Sequence, residues 1–318
     1  MTDQEVVPCP LCRSEQRSLF CRATDRFSPQ SSERYSLQRC LDCGMVYLSP
    51  RPTEMDSPQF YQHADYLPFA SLGQEGSVVG WLYRIVRRLN LRWKRQLVDG
   101  YWRGARAAKP GRLLDVGCGT GEFLSVMKRE GWEVEGLERD EHASAFARTR
   151  WGVSVFTGGV ENIPRDSRSY DVITLWHVLE HLYDPARVLS ILKLHLSAGG
   201  LLLIATPNVE GFDSRVYKEN WIALDVPRHV NHFSSGSLNR LLTEGGFEFH
   251  ACRQLPFDPF FNTLLSEQLA ARQTPGWGFL WPFRLIRAGL VSISSLISGS
   301  RLFGSKFGAT LVCVFRAC

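Results

Sequence analysis

The chain has 318 residues, with 37 Lys+Arg against 32 Asp+Glu, 44% hydrophobic content and 12% aromatic content. That length is enough for two domains and a sizeable core, and 22% charged residues beside full apolar content exclude a disordered chain. The net charge of +5 is uneven: residues 81–112 hold ten Lys/Arg against Asp99 alone, and 268–318 hold six with no acid. Two such segments suit an anionic partner, either a membrane surface or nucleic acid. The start, MTDQEVVPCP, lacks a basic end followed by an apolar run, so no secretory signal is read there. The apolar stretch 279–297 is broken by Pro282, Arg284 and Arg287, short of the roughly 20 residues a spanning helix needs. The expectation is a cytoplasmic protein, soluble or peripheral to the inner face of a membrane.

Residues 1–50 contain two cysteine pairs, Cys9-Pro-Leu-Cys12 and Cys40-Leu-Asp-Cys43-Gly44. Two thiolates three positions apart can hold one ion from one turn, and two such turns complete the tetrahedral shell zinc prefers. Cys9, Cys12, Cys40 and Cys43 therefore predict a structural zinc ribbon without an open coordination position. Nine cysteines in a chain without a visible leader argue against a disulfide framework. Residues 51–104 read as a polar linker and then an amphipathic helix over 78–98. Its apolar positions Val78, Leu82, Ile85, Val86, Leu89, Trp93 and Leu97 lie three or four apart beside a basic face. Such a helix suits a membrane interface or covers a neighbouring domain.

Residues 105–256 alternate strand and helix, as in a parallel α/β sheet covered on both faces. Strands are predicted at Leu113–Val116, Val134–Glu138, Val153–Phe156, Asp171–Trp176, Gly200–Ala205 and Phe247–Gln254, and a last one, Ala309–Phe315, lies within residues 307–318. Between the last two, residues 257–306 form an aromatic, basic insertion. Its positions Phe283, Ile286, Leu290, Ile293 and Ile297 make a helical stripe that predicts a lipid-facing surface, a lid or a dimer contact.

The central motif is Asp115-Val116-Gly117-Cys118-Gly119-Thr120-Gly121-Glu122, between a strand and a helix. Glycines there let the backbone turn sharply and approach a ligand at a helix N-terminus. A dinucleotide loop needs a glycine where Glu122 stands, and an acid at that place disfavours pyrophosphate. Glu138, at the end of the second strand, can accept both hydroxyls of a ribose. These residues resemble the class I S-adenosylmethionine (SAM)-dependent methyltransferases that carry a Val-Leu-Glu-His element. The likeness extends through Gly158-Gly159-Val160-Glu161, YDVITLWHVLEHLYDP from Tyr170 to Pro185, and Thr206-Pro207-Asn208. The resemblance implies a Rossmann-like, mostly parallel sheet of seven strands with SAM as cofactor. It would place Asp115, Gly117, Gly119 and Gly121 around the methionine part, Glu138 at the ribose and Val160 at the adenine. Trp176 and His177 would flank the methionine.

Methyl transfer needs alignment of acceptor, methyl and sulfur and, for many acceptors, removal of a proton. The candidate bases are His177, His181, His229 and His232, with His181 and His229 preferred as catalytic residues. His177 and His181 share a face if Trp176–Leu182 is helical, and no carboxylate has a diagnostic metal-ligand spacing to the four. The leading expectation is methylation, on oxygen, of a small-molecule, sugar or lipid-linked acceptor; carbon methylation stays open, since the chain also resembles in outline sugar C-methyltransferases that carry an N-terminal cysteine-rich zinc segment. RNA methylation is the alternative, since the first cysteine pair also resembles certain ribosomal-RNA methyltransferases. A non-catalytic SAM-binding or membrane-docking module is the third reading.

Overall fold

A parallel sheet buried on both faces needs strands that are apolar nearly throughout, and runs such as Val172-Ile173 and Leu201 to Ala205 are fully buried. The computed structural model describes residues 3–27, 33–61, 78–105, 109–164, 169–272, 281–300 and 307–317. Its main sheet is built from β1 (Arg112–Val116), β2 (Glu133–Glu138), β3 (Ser154–Thr157), β4 (Tyr170–Trp176), β5 (Leu196–Pro207), β6 (Phe247–Gln254) and β7 (Thr310–Ala317). The spatial order is β3-β2-β1-β4-β5-β7-β6, with β7 antiparallel to both neighbours and the other pairings parallel. This is the mostly parallel α/β architecture expected. The order reverses at β1 and β4, which opens a crevice at their carboxyl ends.

The helices are α1 (Val78–Ala105), α2 (Glu122–Arg129), α3 (Glu141–Trp151), α4 (Pro185–Leu194), α5 (Phe212–Tyr217), α6 (Ser235–Glu244), α7 (Asp258–Arg272) and α8 (Trp281–Ser298). Local chemistry sets their starts. Asp140 caps α3 by accepting from the Ala143 N–H at 2.7 Å, and Asp184 caps α4, with Pro185 in the first turn. The basic helix α1 covers the core. Its Val98 and Trp102 are buried against Phe123, Leu124, Met127 and Trp132, and Trp132 Nε1–H donates to Asp99.

The stripe on α8 faces outward. Phe283, Ile286, Leu290, Ile293 and Ile297 are all exposed, whereas Arg284, Ala288, Ser292 and Ser295 are buried. The reason is a polar seam with α7. Glu267, 1% exposed, pairs with Arg284 and Arg287 and accepts from Tyr217, and the Thr263 and Ser292 hydroxyls meet at 2.6 Å. A buried carboxylate requires these partners, so the polar face of α8 turns inward. No helix among the described residues is long and apolar enough to cross a membrane. Cys252 and Cys313, register partners on β6 and β7, form a disulfide. The prediction against disulfides is thus corrected at this pair, which only the strand pairing brings together.

The N-terminal strands Arg17–Ala23, Tyr35–Cys40 and Val46–Leu48 form an antiparallel sheet whose fourth strand, Asn231–His232, comes from the loop beyond β5. Leu37, Val46 and Leu48 pack with Trp221, Leu224, Val226 and Val230 from the same loop. Beside them the Arg228 side chain is fully buried, donating to Asp25 Oδ1 and Asp225 Oδ1 at 2.7 Å each. Arg26 also pairs with Asp225. Breaking such a buried pair costs about 3–5 kcal/mol, because the remaining charges stay out of water. Arg228→Met should therefore lower the unfolding free energy in urea by about that amount, and a loss below about 1 kcal/mol, typical of an exposed pair, would contradict the arrangement.

Candidate active site

Three glycines shape the turn between β1 and α2. Gly117, Gly119 and Gly121 all have positive φ (68°, 53° and 75°), a region side chains rarely enter. A Cβ on Gly117 would strike Val178 and one on Gly121 would strike Ala147, but one on Gly119 would meet nothing within 4 Å. Gly119 therefore faces open space while its neighbours are packed. Glu138 braces the turn from the end of β2. Its Oε2 accepts from the Gly119 N–H at 2.7 Å and its Oε1 from the Asp140 N–H at 2.9 Å. Next to it, the Gly158 N–H donates to the Glu138 carbonyl, leading into the turn Val160–Asn162 with Val160 buried. Asp115 lies beneath the turn. It is 3% exposed and accepts from Thr174 Oγ1 at 2.6 Å, and burial pushes its carboxyl up to about 7.

Trp176 ends β4, buried edge-to-face against Phe123. Lys94 of α1 sets its ammonium 4.5 Å from the centre of the Trp176 ring, a cation–π contact. Burial lowers the Lys94 pKa, and Asp115 opposes that shift. Lys94 is a site residue the sequence reading did not single out, since it is one cation among many on a basic helix.

The shared helical face of His177 and His181 does not form. His177 has a left-handed backbone (φ 59°), and only one turn, Leu179–His181, follows. A left-handed non-glycine residue costs energy and often marks a functional site. The His177 ring bridges two acids, with Nδ1 3.3 Å from Glu180 Oε1 and Nε2 3.2 Å from Asp258 Oδ2. Burial works against its charge, but hydrogen bonds to Asp258 and Glu180 raise its pKa to about 9. Two flanking carboxylates thus favour its imidazolium form, which has no lone pair to offer as a base. Glu180 is buried yet held at about 2, chiefly by His177. Asp258, at the start of the insertion, had no sequence signal.

His181 and His229 come together, with ring centroids 4.6 Å apart. His181 Nδ1 lies 3.1 Å from the Arg228 carbonyl and 3.0 Å from the Tyr61 hydroxyl. His229 Nδ1 lies 2.8 Å from the Ala223 carbonyl. A carbonyl only accepts, so both rings carry their proton on Nδ1 and leave a lone pair on Nε2. Burial lowers both pKa values, that of His229 to about 3 with His181 adding to the effect. His232 instead bonds the Leu224 carbonyl through Nε2, 6.2 Å from His229 between centroids.

At the N-terminus, Cys9, Cys12, Cys40 and Cys43 converge with their sulfurs within 4.8 Å of one another. The sulfurs of Cys9 and Cys43, and of Cys12 and Cys40, are 3.5 Å apart. Arg13 and Gly44, just past each pair, take the left-handed turn conformation that closes a knuckle.

A family model described as a methyltransferase domain matches residues 86–251, more than half of the chain. The chain belongs to that family. It is 31% identical over 158 residues to a probable S-adenosylmethionine-dependent methyltransferase of Mycolicibacterium smegmatis, covering 49% of this chain and 59% of that protein's length. It is 38% identical over 110 residues to a ubiquinone biosynthesis O-methyltransferase of Hahella chejuensis, covering 32% of this chain and 46% of the relative. The solved magnesium protoporphyrin IX methyltransferase of Synechocystis, with bound SAH, is similar in fold. It aligns with a TM-score of 0.51 at 13% identity, covering 84% of this chain and 100% of that one.

The family's cofactor is SAM, and the cradle around Gly119 suits it, because the open side of the turn lies beside the Glu138 carboxylate. Hydrogen bonds to a charged partner contribute about 1.5–3 kcal/mol. Glu138→Ala in this methyltransferase-family chain should therefore weaken SAM binding, measured by calorimetry, roughly 10–100-fold. Unchanged affinity would contradict the placement of the ribose.

Proposed function

We propose that the chain transfers the methyl group of SAM to an oxygen of a small-molecule acceptor, a class that includes sugar and lipid-linked hydroxyls, with His181 and His229 as the catalytic pair. The observation that carries this reading is the two neutral imidazoles, each fixed by a main-chain carbonyl with its Nε2 lone pair free. They sit at the carboxyl ends of β4 and β5, where loops border the crevice of such a sheet. The ubiquinone O-methyltransferase relatives support oxygen as the acceptor atom.

In the reaction an acceptor oxygen attacks the methyl carbon in line with sulfur. The O–CH₃ bond forms, the CH₃–S bond breaks with its electron pair going to sulfur, and the hydroxyl proton leaves. Alignment lowers the barrier because the encounter becomes intramolecular. The Nε2 lone pairs of His181 and His229 are this chain's means of ionising the hydroxyl, by taking its proton or by holding the group that lowers its pKa. Trp176 and His177 close the methionine end and Val160 the adenine end.

The four N-terminal cysteines are assigned to structural zinc. A tetrahedron with Zn–S near 2.3 Å has sulfurs about 3.8 Å apart, and the 3.5 Å pairs lie close to that spacing. Four thiolates leave no open position, so the ion would brace the strand pairing with Asn231–His232 and take no part in chemistry.

Labelled SAM added to a whole-cell extract, fractionated afterwards, tests the reading. Label should enter a small-molecule or lipid fraction, and His229→Gln should reduce the rate about 10²–10⁴-fold with SAM affinity unchanged. Label confined to RNA, or a rate indifferent to His229→Gln, would overturn it.

A further inference from the structure

Glu180 and His181 leave the turn after β4, and His229 comes from the loop beyond β5, so no sequence spacing links the three. The fold nevertheless places one carboxylate oxygen and one nitrogen from each ring within 4.8 Å of one another. Two features make the cluster a ligand set rather than a hydrogen-bonded knot. Glu180 is 1% exposed, and its Oε2 has no hydrogen-bond partner among the described residues. A bare carboxylate oxygen in the interior is costly unless something cationic meets it. Both rings, moreover, donate Nδ1–H to main-chain carbonyls, the outer bond that orients a metal-ligating histidine and makes its second nitrogen more basic.

We propose that Glu180, His181 and His229 bind a divalent transition-metal cation, with open coordination positions that take the acceptor's oxygen. Two imidazoles and one carboxylate suit such an ion, and three protein ligands leave room for a substrate. Asp225, with Oδ2 3.9 Å from His229 Nε2, adds negative potential beside the ligating nitrogen. The role of the ion rests on the reading of this pocket as the acceptor side. There the ion would act as a Lewis acid, so that the hydroxyl ionises with its proton passing to solvent water rather than to an imidazole. The oxygen then takes the methyl group as the C–S electron pair goes to sulfur.

The test uses the full chain carrying one equivalent of zinc, which the four thiolates take first, and then titrated with cobalt(II). The N/O site should bind one cobalt per chain, with visible d–d bands and without the thiolate charge transfer of a cysteine site. Glu180→Gln should weaken that binding by at least about 10–100-fold, the range for losing even an outer-shell partner. His181→Asn, at a half-buried position, provides the same readout if Glu180→Gln does not fold. Absence of d–d bands, or equal cobalt affinity in His181→Asn, overturns the site. Methyl transfer that survives full chelation with no cobalt bound overturns the cation and leaves the acceptor reading standing. Cobalt binding lost in His181→Asn, in a chain that labels no fraction of any extract, supports the site and overturns that reading.

Discussion

The Arg228 guanidinium, buried between Asp25 and Asp225, joins the two halves of this protein. One carboxylate belongs to the N-terminal segment and the other to the loop beyond β5, so the pairing can be satisfied only when the segment is docked. Burial alone would raise the Asp225 carboxyl, yet Arg26 and Arg228 hold it well below the usual range. The Arg228 carbonyl also fixes the His181 ring, and His229 is the next residue. A charge cluster that costs energy to bury thereby sets the position of the two imidazoles proposed as the acceptor side.

The cofactor side depends on a different device, the backbone itself. Three left-handed glycines and the Glu138 carboxylate shape the cradle without help from the N-terminal segment. The left-handed His177 follows β4 and ties it to the insertion through Asp258, which in turn accepts from Thr310 on β7. The insertion therefore touches the site near its start, at Asp258, while its apolar row on α8 looks away. The family model matches residues 86–251, which include His181 and His229 but not the cysteine segment that packs beside them.

Much of the core was legible because its rules are local. Strands buried on both faces appear as apolar runs, Asp184-Pro185 starts a helix by its own chemistry, and Gly117, Gly119 and Gly121 stand where only glycine turns so sharply. The paired cysteines were legible by spacing. What escaped depends on contacts distant in sequence. The stripe on α8 is legible by spacing, but which face of the helix packs inward is set by Glu267 on α7, which needs Arg284. The strand Asn231–His232 exists only because Val46 and Tyr47 lie beside it. Lys94 is indistinguishable from its basic neighbours until Trp176 is placed under it. Glu180 gains meaning only when His229 arrives from beyond β5.

The central claim is that the N-terminal cysteine segment builds the acceptor half of the site and not the cofactor half. Amide hydrogen exchange, compared between zinc-loaded and metal-stripped chain, tests it most directly. Exchange across residues 225–233 should accelerate on stripping while β1, β4 and β5 keep their protection. Unchanged protection at 225–233, or an equal loss across the whole sheet, would contradict the account.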